Sequence, residues 1–259
     1  MPATRREASA DHTEAGLACA AVGVVVAVEG LDGAGKATLV AALADAAARR
    51  GARVGTLAFP RYDADVHAGL AGEALHGAHG DLRDSVHAMA VLFALDRAGA
   101  AGDLRRAAAT HDLVLVDRYV ASNAAYGAAR RGEDVDGPFV AWVHALEIER
   151  LGVPAPDAQV LVRVPGALAA RRVRDRAAAD PTRAPDGYEA DAALQARCAA
   201  VYDQLVDCSW LAPWSVVGTE GDRAEVTRTA ESMVADWLAR PSPGELASGS
   251  SVRSDTIET

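Results

Sequence analysis

Cationic residues are in deficit in this 259-residue sequence: 26 lysines and arginines face 36 aspartates and glutamates, a formal net charge of −10. A nucleic-acid-binding surface carries the opposite imbalance, because phosphate contacts draw on Lys and Arg. No nucleic-acid partner is therefore expected, and any basic cluster becomes informative. Cysteine is scarce too. Cys19, Cys198 and Cys208 are odd in number and form no CxxC pair, which argues against a disulfide framework or a zinc site and fits a reducing cytoplasm. No apolar stretch reaches the ~20 residues that span a bilayer. The run "LACAAVGVVVAV" (17–28) is apolar enough for a signal-peptide core, but Glu7, Asp11 and Glu14 precede it and it runs into a glycine loop, so neither export nor a membrane is expected. An internal repeat, a linker before residue 240 and the guanine-reading NKxD motif are also missing. The lack of a linker favours one domain over two.

What is present is an α/β rhythm. Half of the residues are hydrophobic and 24% are charged, enough for one large core. Short β-branched runs at 23–28, 54–59, 113–117, 159–164 and 214–218 read as strands buried on both faces of a mostly parallel sheet. Alanine-rich amphipathic stretches between them predict helices over about 36–50, 64–75, 81–109, 120–130, 138–150, 166–178, 188–207 and 223–239. "DPTRAPDG" (180–187) is a turn-rich interruption. Residues 1–21 and 241–259 read as flexible tails around a domain at 22–240. The histidines of "HGAHGD" (76–81) sit in a glycine turn with no second ligand cluster, and Trp210 and Trp214 read as packing.

The stretch "EGLDGAGKATL" (29–39) lies between a buried strand and a helix, the context that a phosphate-binding GxxxxGK loop requires. Gly30, Gly33, Ala34 and Gly35 can turn backbone N–H groups toward phosphate oxygens, and the Lys36 ammonium can bridge the β- and γ-phosphates of ATP. Ala37 stands where nucleotide hydrolases often place a Mg²⁺-holding hydroxyl, and Thr38 comes one residue late. Because Mg²⁺ keeps several waters and uses few protein ligands, the loop can still serve a phosphotransferase. Asp117 closes the strand "LVLVD" beside this loop and Arg118 follows at once, a guanidinium suited to an acceptor's own phosphate. Phe93 and Arg97 are one helical turn apart, so a ring can stack on a pyrimidine while a guanidinium reaches its carbonyl. In an acidic protein the run from Arg171 to Arg183 stands out: Arg172 and Arg176 share a helix face beside the interruption, as a mobile lid requires, whereas Arg171 and Arg174 fit a solvated face equally well.

Taken in order and spacing, "EGLDGAGKATL", "FPRY" (59–62), "FALDR" (93–97), "DRYVASNAAY" (117–126) and the arginine-rich segment before "DGYEAD" (186–191) resemble thymidylate kinases of the actinobacterial, mycobacterial type over roughly residues 22–240. That resemblance implies a P-loop nucleoside monophosphate kinase fold, with a five-stranded parallel sheet ordered 2-3-1-4-5, helices around it and a lid over about 166–189. It implies ATP-dependent phosphorylation of dTMP to dTDP, with Mg²⁺ near Asp32, Asp117 and Glu189, and a homodimer using helices such as 81–109. Phe59, Pro60, Arg61 and Tyr62 would line the nucleotide pocket and Ser122 and Asn123 the base edge. Tyr126 would lie under the sugar, Asp32 near the acceptor's 3′-hydroxyl and phosphate, and Tyr188 and Glu189 would close the lid end. The family's catalytic arginine comes from the loop or from the lid. Gly33 occupies the loop position, so Arg176, with Arg172, is expected to supply it.

Two other readings stay open on sequence. A deoxynucleoside kinase needs a carboxylate base near a sugar hydroxyl, and Glu29 is available. A P-loop ATPase switch would need none of the acceptor motifs.

Overall fold

The computed structural model describes residues 22–180, 185–218 and 223–239. The expected tails, Cys19 and Arg183 lie outside these residues. Five parallel strands, β1 (Val24–Glu29), β2 (Val54–Ala58), β3 (Leu113–Asp117), β4 (Ala158–Arg163) and β5 (Trp214–Gly218), form one sheet in the order β2-β3-β1-β4-β5. Helices α1 (Lys36–Arg49), α2 (Val66–Leu75), α3 (Val86–Thr110), α4 (Val120–Arg131), α5 (Pro138–His144), α6 (Gly166–Ala179), α7 (Ala192–Asp207) and α8 (Arg223–Leu238) flank it. Parallel strands need crossovers, and the alanine-rich segments supply them as helices that bury a face against the sheet. The central strands are nearly dry: Val26, Val28, Val114, Val116 and Val160 are fully buried.

Three expectations need correction. β2 and β5 are not buried on both faces: they are the sheet's edges, and Thr56, Ala58, Ser215 and Val216 are exposed. The helix expected from 81 begins at 86, where Ser85 caps it by accepting from Ala88 N, after a 3-10 turn at Leu82–Asp84. The segment expected as helix from 188 starts with turns, and α7 begins at Ala192 with Asp191 accepting from Leu194 N. A further feature had no counterpart in the pattern: α5 continues as a π-helical segment, Ala145–Arg150. At Gly127 the chain has no room for a side chain, since a Cβ there would lie 1.9 Å from the Phe139 ring. This close approach seats α5 against α4, beneath the site.

Candidate active site

In the sheet order, β1 and β3 are neighbours whose connections leave in different directions, and ligands of open α/β sheets bind at such a switch point. Here the ends of both strands carry the expected residues. Gly30, Gly33, Ala34 and Gly35 form the turn from β1 into α1, and Val28 is in register with Asp117. Lys36 is buried, its Nζ donating to Gly30 O at 3.2 Å and Leu31 O at 2.9 Å. Burial, reinforced by the positive Arg118, lowers its pKa to about 8. Ala37 and Thr38 fall on the exposed side of α1.

Arg118 takes a left-handed backbone conformation, φ 61°, one that non-glycine residues adopt mainly where surrounding structure enforces it. Its Nη2 donates to Asp32 Oδ1, and Tyr126 Oη donates to Asp32 Oδ2 at 2.8 Å. Burial alone would raise the Asp32 pKa, but Arg118 and Lys36 outweigh it and hold the carboxyl at about 2. The Arg118 guanidinium also lies 5.5 Å from the centre of the Tyr126 ring, within cation–π range.

A cleft of about 680 Å³, its open mouth included, runs from Asp32 and Arg118 toward α3. Phe59, Pro60, Tyr62, Phe93, Ser122, Asn123, Tyr126 and Tyr188 line it, with Arg97 at the far end. There Arg97 donates through Nε and Nη2 to Glu147 Oε2 and Oε1 at 2.5 and 2.7 Å. Asn123 Nδ2 donates to Glu147 Oε1 at 2.8 Å and to Ala90 O at 3.0 Å. The opposite mouth is covered by the lid-end turn: Asp186 lines the cleft, and the Tyr188 ring stacks on Tyr126 with centroids 6.2 Å apart. Arg130, also lining, donates to the Tyr188 hydroxyl.

Above the loop, α6 carries the lid arginines. Arg172 Nη1 donates to Ala34 O at 3.0 Å and Gly33 O at 3.4 Å. Arg176 Nη2 donates to Glu189 Oε1 at 2.7 Å, and its Nε is buried without a hydrogen-bond partner among the described residues. Gly33 makes the close seat possible, because a Cβ there would lie 2.3 Å from Ala169 O on α6.

The thymidylate kinase family model matches residues 28–211. The chain is also 52% identical over 206 residues to the thymidylate kinases of two Mycobacterium tuberculosis strains, CDC 1551 / Oshkosh and ATCC 25618 / H37Rv, covering 80% of this chain and 96% of each relative. The chain belongs to the thymidylate kinase family. The matched span of the thymidylate kinase model contains every motif described above and leaves both termini outside it.

Within the site, some residues stand elsewhere than expected. Arg61 is not among the cleft-lining residues: Asp96 and Asp65 take its guanidinium, with Asp96 Oδ1 at 2.7 Å from Nε. An arginine held on two carboxylates is satisfied within the protein. Glu29 is fully enclosed, accepting from Tyr119 N at 2.8 Å, Ser122 Oγ at 2.6 Å and Tyr202 Oη at 3.0 Å. Burial raises its pKa. It steadies the start of α4 and does not line the cleft. The residues missed in the sequence are Glu147, Asp186 and Arg130. An arginine in an alanine- and leucine-rich helix is the signal that could have pointed to a carboxylate partner for Arg97, though not to which one.

Proposed function

We propose that this chain transfers the γ-phosphate of ATP to dTMP, yielding dTDP. One observation carries the reading: a single cleft has an arginine and an asparagine at its base end and Arg118 at its phosphate end, beside the Lys36 loop. Asn123 spends its NH₂ inside the protein and keeps its carbonyl as an acceptor, suited to the thymine N3–H. Arg97 keeps donor capacity for the thymine O4, and Phe93 offers a ring face to the base. Tyr126 occupies the space beneath the sugar, and Arg118 anchors the acceptor phosphate. Lys36 and the loop amides hold the ATP phosphates, and Arg176, with Arg172, covers the group in flight. No general base is needed, since the acceptor phosphate is already an oxyanion and catalysis rests on positioning and charge stabilisation.

Asp117 Oδ1 is buried without a hydrogen-bond partner among the described residues and acts electrostatically on Lys36. Asp32 and Glu189 are engaged by Arg118 and Arg176. This donor set fits Mg²⁺ that would be carried mainly by water and phosphate oxygens, with Asp117 the carboxylate that would help to hold it. Bound there, the ion would neutralise charge on the transferring phosphates. A homodimer contacting through α3 and a cytoplasmic location belong to the same reading; sedimentation at micromolar concentration tests the dimer.

The deoxynucleoside kinase reading loses its base, because Glu29 is enclosed by Tyr119, Ser122 and Tyr202. An ATP-consumption assay across nucleoside monophosphates, with thymidine included, tests the function. dTMP should be consumed fastest and thymidine not at all. Thymidine outperforming dTMP, or ATP hydrolysis that no acceptor accelerates, would refute it.

A further inference from the structure

Glu147 is wholly buried and does not line the cleft, yet it holds both residues that face the base. We propose that Glu147 is a positioning residue that fixes which way Asn123 points, and so restricts the cleft to pyrimidines with a C4 carbonyl and an N3–H. The proposal rests on the dTMP reading above.

An asparagine amide is ambivalent. Turned one way it offers an acceptor, turned the other a donor, and the two are nearly isosteric. Asn123 alone therefore gives no preference between thymine, which presents N3–H and O4, and cytosine, which presents a bare N3 and an amino group. Here both Asn123 N–H donors are spent, on Ala90 O at 3.0 Å and Glu147 Oε1 at 2.8 Å. Turning the amide over would set its oxygen against a carbonyl and a carboxylate inside the protein, where an unpaired polar group is costly. Oδ1 is thereby committed as the acceptor.

Arg97 is set by the same carboxylate. Its Nε–H and one Nη2–H are spent on Glu147, leaving the Nη1 hydrogens and the second Nη2 hydrogen on a group that can donate but cannot accept. The recognising edge is thus one acceptor and one donor. Thymine matches it; 5-methylcytosine, the same size, would oppose acceptor to acceptor and donor to donor. Glu147 lies in the π-helical segment Ala145–Arg150, and π turns inside helices occur frequently at functional sites.

The experiment compares kcat/KM for dTMP with that for 5-methyl-dCMP, which differs only at the 3,4 edge. The wild-type ratio should be on the order of 10³ or more, because sites built around hydrogen bonds reject mismatched partners strongly. Glu147→Leu removes both carboxylate acceptors and leaves Ala90 O alone to orient the Asn123 amide; the ratio should fall at least tenfold. The dTMP to dUMP ratio, which probes only the methyl group, should stay as it was. A carboxylate that merely neutralised Arg97 would lower both acceptors in proportion, and an unchanged dTMP to 5-methyl-dCMP ratio overturns the proposal. If Glu147→Leu does not fold, as judged by thermal unfolding, Glu147→Asp retains the charge while shortening the reach, and the same ratio decides. A wild-type ratio under tenfold overturns it whatever the variants do. Wild-type protein that fails to phosphorylate dTMP at all refutes the function itself, a separate outcome.

Discussion

The two ends of the cleft are built on different plans. At the base end Arg97, Asn123 and Glu147 are buried and bonded to one another, and few atoms are left over for a ligand. At the phosphate end each cation rests on an oxygen of the protein: Lys36 on Gly30 and Leu31 carbonyls, Arg118 on Asp32, Arg176 on Glu189. On the proposed function those oxygens hold the places of phosphate oxygens, and a bound nucleotide would displace some of them. The base end can therefore select without moving, whereas the phosphate end must exchange partners to act. Damage at the first should change which acceptor is chosen; damage at the second should change how fast phosphate moves.

The sharpest way to break this division is at the loop. Lys36→Ala should bring turnover to assay background, because the exchange of loop carbonyls for phosphate oxygens loses its cation. Arg176→Ala follows, with kcat lowered on the order of 10³ and the KM for dTMP little changed, since a transition-state arginine acts late. A raised KM with kcat intact would move Arg176 to ground-state binding and blur the contrast. Tyr126→Ala tests the middle of the cleft. The preference for dTMP over its ribose counterpart should fall roughly tenfold, as for one small group in a pocket, with the thymine to uracil ratio unaltered. Collapse of the base ratio instead would misplace the sugar. Acidity offers a graded test: burial and Arg118 bring the Lys36 pKa to about 8 in the free protein, so its charge is present below that pH and lost above it. The kcat/KM for ATP should accordingly decline as pH rises through about 8, by about tenfold per further unit; a flat profile to pH 10 would exclude Lys36 as the group being titrated. The smallest effect belongs to Ala37→Ser, expected within a few-fold of wild type because a water-rich Mg²⁺ does not need that hydroxyl.

Local pattern carried most of the fold. Valine-rich runs such as "GVVVAV" and the alanine-rich segments between them declare strand and helix by period and length, and the glycine loop declares its own corner. Edge position is not local, which is why β2 and β5 looked as buried as β3. Pairing across the chain is equally invisible. Glu147 and Glu149 are two glutamates in "HALEIER", and nothing in the segment distinguishes the one that meets Arg97 from 50 residues away. "FPRY" and "FALDR" were legible as motifs, but a motif does not say which member faces the ligand: Asp96 of the second takes Arg61 of the first. Glu29 misled for a related reason, since a carboxylate beside a phosphate loop resembles a base until its enclosure by Tyr119, Ser122 and Tyr202 is known.

The seat of α6 on the loop limits what position 33 can carry. A Cβ at position 33 would lie 2.3 Å from Ala169 O and 3.1 Å from Val173 Cγ2, at a backbone φ of 75° that side chains seldom adopt. An arginine introduced there would therefore collide with the very helix that already carries Arg172 and Arg176. A side chain at position 33 and the seat of α6 thus compete for one volume, and in this chain the glycine leaves that volume to the helix.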